Sequence, residues 1–284
     1  MYWTTDGDLP DEAARALRSA AFGPLRGEGR VVLPAARCGR ELWWRAVAHG
    51  GLGYYARAEA DLGRLRAVAR RGGGGPCASL EASTRASLLR QMGRHGLAAE
   101  HDGRALALAG PANLTAIGML QARADALTGL AADSLGRAGH RTASRLLEAC
   151  AEELGGPPSG PGDPLWRARL RLLWVRAETA MAAGDAETAL ANADAARAYA
   201  ESVDSERHQV KTLLIGAAAA AVSGQAALSA QRADEVLEWA GRARLLPLRW
   251  AACMLLQGVA PSEGVAGELA RCEAELQCRG GHPD

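Results

Sequence analysis

The chain of 284 residues is 48% hydrophobic and 23% charged, a balance that is typical of a folded protein and argues against disorder. Its formal net charge of +1 argues against nucleic acid as the main partner, because proteins that bind nucleic acid usually concentrate positive charge. Six cysteines are scattered without a CxxC pair, which favours isolated thiols over a disulfide framework.

Targeting and membrane segments are the next features to consider. The start of the chain, Met1 to Asp6, has neither the basic residues nor the apolar region of a secretion signal. The longest apolar run, Leu213 to Val222, is about half of the ~20 residues that a spanning helix needs. We therefore expect a cytoplasmic, soluble protein that does not interact with a membrane.

Residues 1–36 form an N-terminal segment that does not match the rest of the chain. A short amphipathic helix is predicted from Pro10 to Ala21, with Pro10 and Asp11 at its start. Trp3, Leu9 and Phe22 are expected to cover the exposed end of the helices that follow, as terminal caps do in repeat proteins. An arm that binds a partner is the alternative interpretation.

The rest of the chain is rich in Ala, Leu, Arg and Glu, which are strong helix formers, and strand patterns are nearly absent. Breaks rich in Gly, Pro, Asp and Ser divide it into about a dozen predicted helices. The Gly/Pro segment 155–164 cannot continue a helix and is predicted to be a linker loop. It separates a first half, residues 37–154, from a second half, residues 165–279.

Self-similarity is the most informative feature of the sequence. A glycine followed by small or apolar residues at fixed offsets recurs at Gly53, Gly93 and Gly184. The copy at Gly139 fits with its glycine one place later, and Gly224 begins a weaker fifth copy. The spacing of about 40 to 46 residues is typical of stacked helical repeats. The small residues fall on one helix face and permit close approach of two antiparallel helices. Each glycine is predicted to end a helix in the left-handed conformation, and Asp185 to cap the next helix.

This pattern, seen best in residues 93–98 and 184–190, resembles the tetratricopeptide repeat family. The abundance of Ala, Gly and Arg, with Lys211 as the single lysine, is typical of GC-rich bacterial genes. The resemblance covers roughly residues 40–240, although the family period is 34 residues and its usual proline is mostly missing. It implies an all-α solenoid of five or six stacked antiparallel helical hairpins that forms a right-handed, curved ribbon rather than a closed ring.

Catalytic and cofactor motifs are poorly represented. GxxxxGK[ST], HExxH and GxSxG are absent, and the glycines at 72–75 do not follow a strand, as a phosphate-binding loop would. Cys272, Cys278 and His282 lack the spacing of structural zinc ligands. The segment from His95 to Asp102 is interpreted as a solvated helix start. We therefore expect no catalytic residue, cofactor or metal.

In tetratricopeptide-like proteins the first helix of each repeat lines a concave groove, and the resemblance assigns eight residues to it: Trp43, Arg90, Asp125, Arg171, Trp174, Glu178, Met181 and Lys211. Arginine binds carboxylates through two hydrogen bonds and tryptophan supplies apolar contact. The alternative is that both tryptophans belong to the core and the charged residues to a solvated face.

The functional hypothesis is therefore a scaffold or adaptor that binds a protein or peptide in this groove. The first alternative is the ligand-sensing module of a bacterial regulator, which would act on transcription or signalling through a separate partner. The second is an enzyme built on a toroid of helical hairpins. Such enzymes place paired carboxylates in a central cavity, and the sequence shows no obvious pair of this kind.

Overall fold

A computed structural model of the protein describes residues 12–24, 32–72, 75–112, 116–156 and 162–282. Within these ranges the chain forms 13 helices and no strand, which confirms the predicted all-α class. The helices are α1 (Glu12–Phe22), α2 (Gly39–Gly51), α3 (Tyr55–Arg71), α4 (Pro76–Gln91), α5 (His95–Ala109), α6 (Ile117–Leu135), α7 (His140–Leu154), α8 (Trp166–Ala183), α9 (Ala186–Glu201), α10 (Glu206–Val222), α11 (Ala226–Arg242), α12 (Leu246–Val259) and α13 (Glu263–Cys278).

From α2 onward the helices pack as consecutive pairs, α2 with α3 through to α12 with α13, so the described residues contain six hairpins. The first helices of these hairpins (α2, α4, α6, α8, α10 and α12) also contact one another in succession. None of the described helices combines the length and apolar character needed to cross a membrane.

The turns inside the first five hairpins share one geometry. Gly53, Gly93, Gly184 and Gly224 have φ between 74° and 81°, as predicted, and the next residue donates its N–H to the carbonyl oxygen five positions earlier. The predicted position of the third turn glycine is wrong. Ala138 holds the left-handed position with φ 58°, whereas Gly139 has φ −96° and begins α7 as its N-cap.

The second helices of the hairpins carry a buried seam of mostly small residues, whose positions lie at fixed distances from the left-handed turn residue. Fifteen positions lie five, nine and twelve residues after the left-handed residue of the first five hairpins, and all are at most 4% exposed. They are Ala58, Leu62, Leu65, Ala98, Asp102, Ala105, Ala143, Leu147, Cys150, Ala189, Ala193, Ala196, Ser229, Ala233 and Val236. The predicted cap is also present, since the Asp185 side chain accepts a hydrogen bond from the Thr188 N–H at 3.0 Å.

The N-terminal segment joins the same core as the hairpins. Helix α1 packs against α2, and its buried residues Ala14, Leu17 and Ala21 share a hydrophobic cluster with Leu42. Phe22, at the end of α1, lies 5.2 Å from Trp43 between ring centres. Trp3 and Leu9, which were also expected to cover this end, lie outside the described residues.

The predicted linker at 155–164 connects α7 and α8, and its residues 157–161 lie outside the described ranges. Packing continues across it, because Leu154 of α7 and Leu165 and Ala168 beyond the loop belong to one hydrophobic cluster. Helix α8 contacts both α6 and α7. The two halves of the chain therefore share buried surface at this loop.

The last hairpin returns to the first, which differs from the expected open ribbon. Leu246 of α12 and Leu276 of α13 lie in the same hydrophobic cluster as Tyr55 of α3. Arg279 donates to the Leu52 carbonyl oxygen at 2.6 Å and accepts from the Ala56 N–H at 3.0 Å. Buried leucines and paired backbone groups thus join the two ends of the row of hairpins.

Candidate binding cavity

A cavity of about 620 Å³ lies between the first helices of the six hairpins. Every one of these helices contributes lining residues, and Phe22 of α1 and His95 of α5 join them. Seven of the eight predicted groove residues line it together: Trp43, Arg90, Asp125, Arg171, Trp174, Glu178 and Lys211. Met181 does not line it, and instead packs against the hydrophobic cluster of α8 and α9.

Two tryptophans line the cavity, and their indole N–H groups make similar hydrogen bonds. Trp43 of α2 donates its indole N–H to Thr84 of α4 at 3.0 Å, and Trp174 of α8 donates to Thr212 of α10 at 2.9 Å. Both indoles are less than 9% exposed. Each is therefore a core residue and a lining residue at once, and its hydrogen bond fixes the ring orientation.

His208 of α10 stands among aromatic rings on this wall. Its ring stacks on Trp174 at 5.6 Å and meets Trp166 edge-on at 4.8 Å between centres. Nδ1 lies 2.7 Å from the hydroxyl of Ser205. Burial, helped by the nearby positive charge of Arg207, holds the pKa of His208 well below its usual range, so the imidazole is neutral near pH 7.

Three arginines converge beside these rings, and we call Arg167, Arg171 and Arg207 the arginine cluster. Arg167 binds both oxygens of Asp125 at 2.7 and 2.5 Å, and Arg171 also donates to Asp125. Burial raises the pKa of Asp125, but the two guanidinium groups outweigh it and hold the pKa below its ordinary value. One carboxylate thus serves two cations of the cluster.

Arg207 of α10 has a different environment. It donates to the carbonyl oxygen of Ala21 in the last turn of α1 at 2.9 Å and to that of Val47 in the C-terminal half of α2 at 3.2 Å. Among the described residues no carboxylate lies within 4 Å of its guanidinium. Burial lowers the pKa of Arg207 to about 10, and the charges of Arg167 and Arg171 act in the same direction.

Arg90 connects the cavity wall to a second group of charges behind it. Its guanidinium donates to Asp133 of α6 at 2.7 Å and to Asp102 of α5, and both aspartates are fully buried. The interpretation of α5 as having a solvated start is therefore wrong for Asp102. An added Cβ at Gly129 would lie 2.0 Å from Asp102 Oδ2, so the missing side chain makes room for this carboxyl group.

The remaining charged pair of the lining is more accessible. Lys211 of α10 and Glu178 of α8 lie 3.3 Å apart, and each side chain is 32% exposed. Glu178 and Asp125 are the acidic lining residues in the described part of the chain, and both are bound by basic side chains. Such an arrangement offers charged and aromatic contacts to a ligand.

Sequence reasoning missed Phe22, Arg207 and His208 as lining residues. Arg207 and His208 precede Lys211 by four and three positions, which places them on the same helix face, so the assignment of Lys211 already carried that signal. Phe22 lies at the end of a separate helix, and local spacing gives no indication of its position. The described residues contain no group of His, Cys, Asp or Glu side chains arranged to hold a metal ion.

No protein-family model matches this sequence, and a search of curated proteins finds no matching relative. The interpretation of the cavity therefore depends on its geometry and chemistry.

Proposed function

We propose that this protein is a binding protein built of tetratricopeptide-like helical hairpins, the first and last of which meet, and that it receives a short peptide segment of a partner in its central cavity. The supporting observation is that all six first helices direct lining residues, including Trp43, Trp174 and Arg171, to one cavity. Tryptophan and arginine are the residue types that contribute most binding energy in protein interfaces.

The size of the cavity favours a peptide over a folded partner. Its volume of about 620 Å³ lies within the ~300–1,000 Å³ that is typical of sites for small ligands, and a folded domain does not enter such a space. Three features support the repeat architecture: the six hairpins, the shared left-handed turn and the buried seam of the second helices.

Filling the cavity tests this proposal. Ser87 lines it from α4, so Ser87→Trp should occupy the space that a ligand needs. Ala195→Trp is the matched control, because Ala195 is exposed on α9 and away from the cavity. Peptides are selected from a random display library against the full chain, synthesised, and titrated by fluorescence anisotropy.

We expect Ser87→Trp to weaken peptide binding by at least about tenfold, which corresponds to ~1.4 kcal/mol, and Ala195→Trp to leave it unchanged. Circular dichroism verifies that both variants fold. Peptides that bind Ser87→Trp as tightly as the unmodified chain would place the binding surface elsewhere, and a library that yields no binder would refute the proposal.

The second candidate is a ligand-sensing module that acts through a separate partner. The contact between the first and last hairpins favours it. A ligand that touches α2, α8 and α10 together would change the relative positions of the hairpins and thereby strengthen or weaken that contact. A thermal shift with small peptides in the absence of a co-purifying protein supports the sensor, whereas a partner that co-purifies at fixed stoichiometry supports the scaffold.

A further inference from the structure

The charges at one end of the cavity do not balance. The arginine cluster supplies three guanidinium groups, and the carboxylate bound to it is that of Asp125. Arg167 uses two of its nitrogens for this carboxylate, whereas Arg171 contacts it through Nη1. In the described part of the chain, the other N–H groups of Arg171 therefore have no acceptor.

Arg207 is compensated only in part. The carbonyl oxygens of Ala21 and Val47 belong to the last turn of α1 and the C-terminal half of α2, towards the helix ends where the dipole places partial negative charge. Partial charges of this kind lower the cost of a buried cation but do not neutralise it. A desolvated guanidinium group without a carboxylate is costly unless further hydrogen bonds stabilise it.

The rings around the cluster hold the guanidinium groups of Arg167 and Arg207 in place. Arg167 lies over Phe22 and over Trp43, each at 5.4 Å from ring centre to Cζ, and Arg207 lies 5.9 Å from the centre of Phe22. These cation–π contacts orient the groups without using their N–H donors. The N–H groups that do not already bind Asp125, Ala21 or Val47 therefore remain available to a ligand in the cavity.

We propose that the arginine cluster is an oxyanion subsite that holds a carboxylate or phosphate group of the ligand between Arg171 and Arg207. Guanidinium groups bind such oxyanions through paired, charge-assisted hydrogen bonds. This inference rests on the proposed binding function and specifies the chemistry of the ligand. The neutral ring of His208 borders the same space and reports on its occupancy.

The test is a titration of the full chain, with [¹³C]-labelled histidine, by sodium phosphate and in a separate arm by sodium acetate. Ionic strength is kept constant with sodium chloride, and the His208 signal is followed by NMR. We expect one saturable shift of the His208 signal at millimolar anion, and the anion that saturates at the lower concentration identifies the preferred oxyanion.

Variants separate a specific subsite from general attraction of anions. Arg171→Gln should weaken the anion response by at least about tenfold, because it removes one of the two guanidinium groups that hold the anion. We expect the variant to fold, since Arg167 still neutralises Asp125. Arg171→Lys should recover part of the affinity. Arg197→Gln is the control, since Arg197 is exposed on α9 and pairs with Glu201 one turn away. Should Arg171→Gln fail to fold, Arg207→Gln takes its place.

Two outcomes overturn the inference: a His208 shift that sodium chloride reproduces, or a saturable shift that persists equally in Arg171→Gln. The peptides from the display library distinguish failure of the oxyanion subsite from failure of the binding function. Peptides that need the open cavity but bind Arg171→Gln normally would reject the oxyanion subsite and leave peptide binding standing. Absence of peptide binding with an intact anion response would reject peptide binding and leave the oxyanion subsite standing.

Discussion

Asp102 shows how much one side chain alters the repeated seam. The equivalent positions of the other hairpins hold Leu62, Leu147, Ala193 and Ala233, and all are buried. Asp102 places a carboxyl group there, and its Oδ1 accepts no hydrogen bond from any described residue. Burial raises the pKa of Asp102 well above its ordinary value, although the charge of Arg90 acts in the opposite direction.

The raised pKa predicts a pH-dependent stability. The folded state favours the neutral carboxyl group, so it binds more protons than the unfolded chain at this site. The contribution of Asp102 to stability is therefore greatest below the unfolded pKa of about 3.9 and is lost as pH rises towards the folded pKa. Asp102→Asn removes this titration.

We expect the free energy of unfolding of Asp102→Asn to rise, relative to that of the unmodified chain, as the pH increases from about 5 to about 7. Urea denaturation at both pH values measures it. Asp194→Asn is the control, because Asp194 lies on α9 and is 61% exposed. Parallel pH profiles for Asp102→Asn and the unmodified chain would show that Asp102 does not titrate as its burial requires.

At the scale of the helices, local chemistry predicted most of what the structure contains. Glycine turns, helix-forming composition and the seam spacing carry their signal within a few residues, so the hairpins and the Asp185 cap could be read directly. The third turn could not, because Ala138 adopts a conformation that alanine rarely takes. Sequence reasoning chose the adjacent glycine, since a glycine is the expected residue there.

Because glycine holds the left-handed position in one turn and alanine in another, substitutions at the two turns should have opposite effects on stability. Gly184 has φ 74° and an added Cβ meets nothing within 4 Å, so Gly184→Ala should cost about 1 kcal/mol of conformational strain alone. Ala138→Gly relieves the same strain, and the greater flexibility of glycine offsets part of the gain. We expect it to stabilise the protein by roughly 0.5 kcal/mol.

Equilibrium urea denaturation measures both changes. Gly63→Ala serves as a reference, because Gly63 lies inside α3 and its Cβ would also meet nothing within 4 Å. There the substitution should stabilise by ~0.5–1 kcal/mol, as for any glycine in a helix interior. Equal signs for Gly184→Ala and Gly63→Ala would contradict the left-handed assignment of the turn.

At the scale of the whole molecule, the closing contact between the ends was beyond sequence reasoning. It joins residues about two hundred positions apart through Leu246, Leu276 and Arg279, and no local pattern encodes such a distance. The cavity could be anticipated only in part for the same reason. Residues on first helices followed from the hairpin pattern, whereas Phe22 reaches the cavity through the packing of α1.

The closing contact predicts a specific protected amide. Ala56 lies in the first turn of α3, where backbone N–H groups have no partner within the helix, yet its N–H donates to the Arg279 carbonyl oxygen at 3.0 Å. In the folded protein the Ala56 amide should therefore exchange slowly with solvent. Its exchange rate reports on the contact between the first and last hairpins and not on α3 alone.

Gly280→Ala should break this contact. Gly280 has φ 88°, and an added Cβ would lie 2.8 Å from Ala56 Cβ and 2.9 Å from Ala56 N. Gly224→Ala is the matched control, because Gly224 has φ 78° and its Cβ would meet nothing within 4 Å. Both substitutions cost about 1 kcal/mol of backbone strain, so a difference between them isolates the clash.

Hydrogen exchange of the Ala56 amide, followed by NMR, should accelerate by at least about tenfold in Gly280→Ala, equivalent to ~1.4 kcal/mol. In Gly224→Ala it should keep the protection of the unmodified chain. Rapid exchange of this amide already in the unmodified chain would mean that the hairpins form an open row in solution. The cavity would then be a groove, accessible along its length to a longer ligand than we propose.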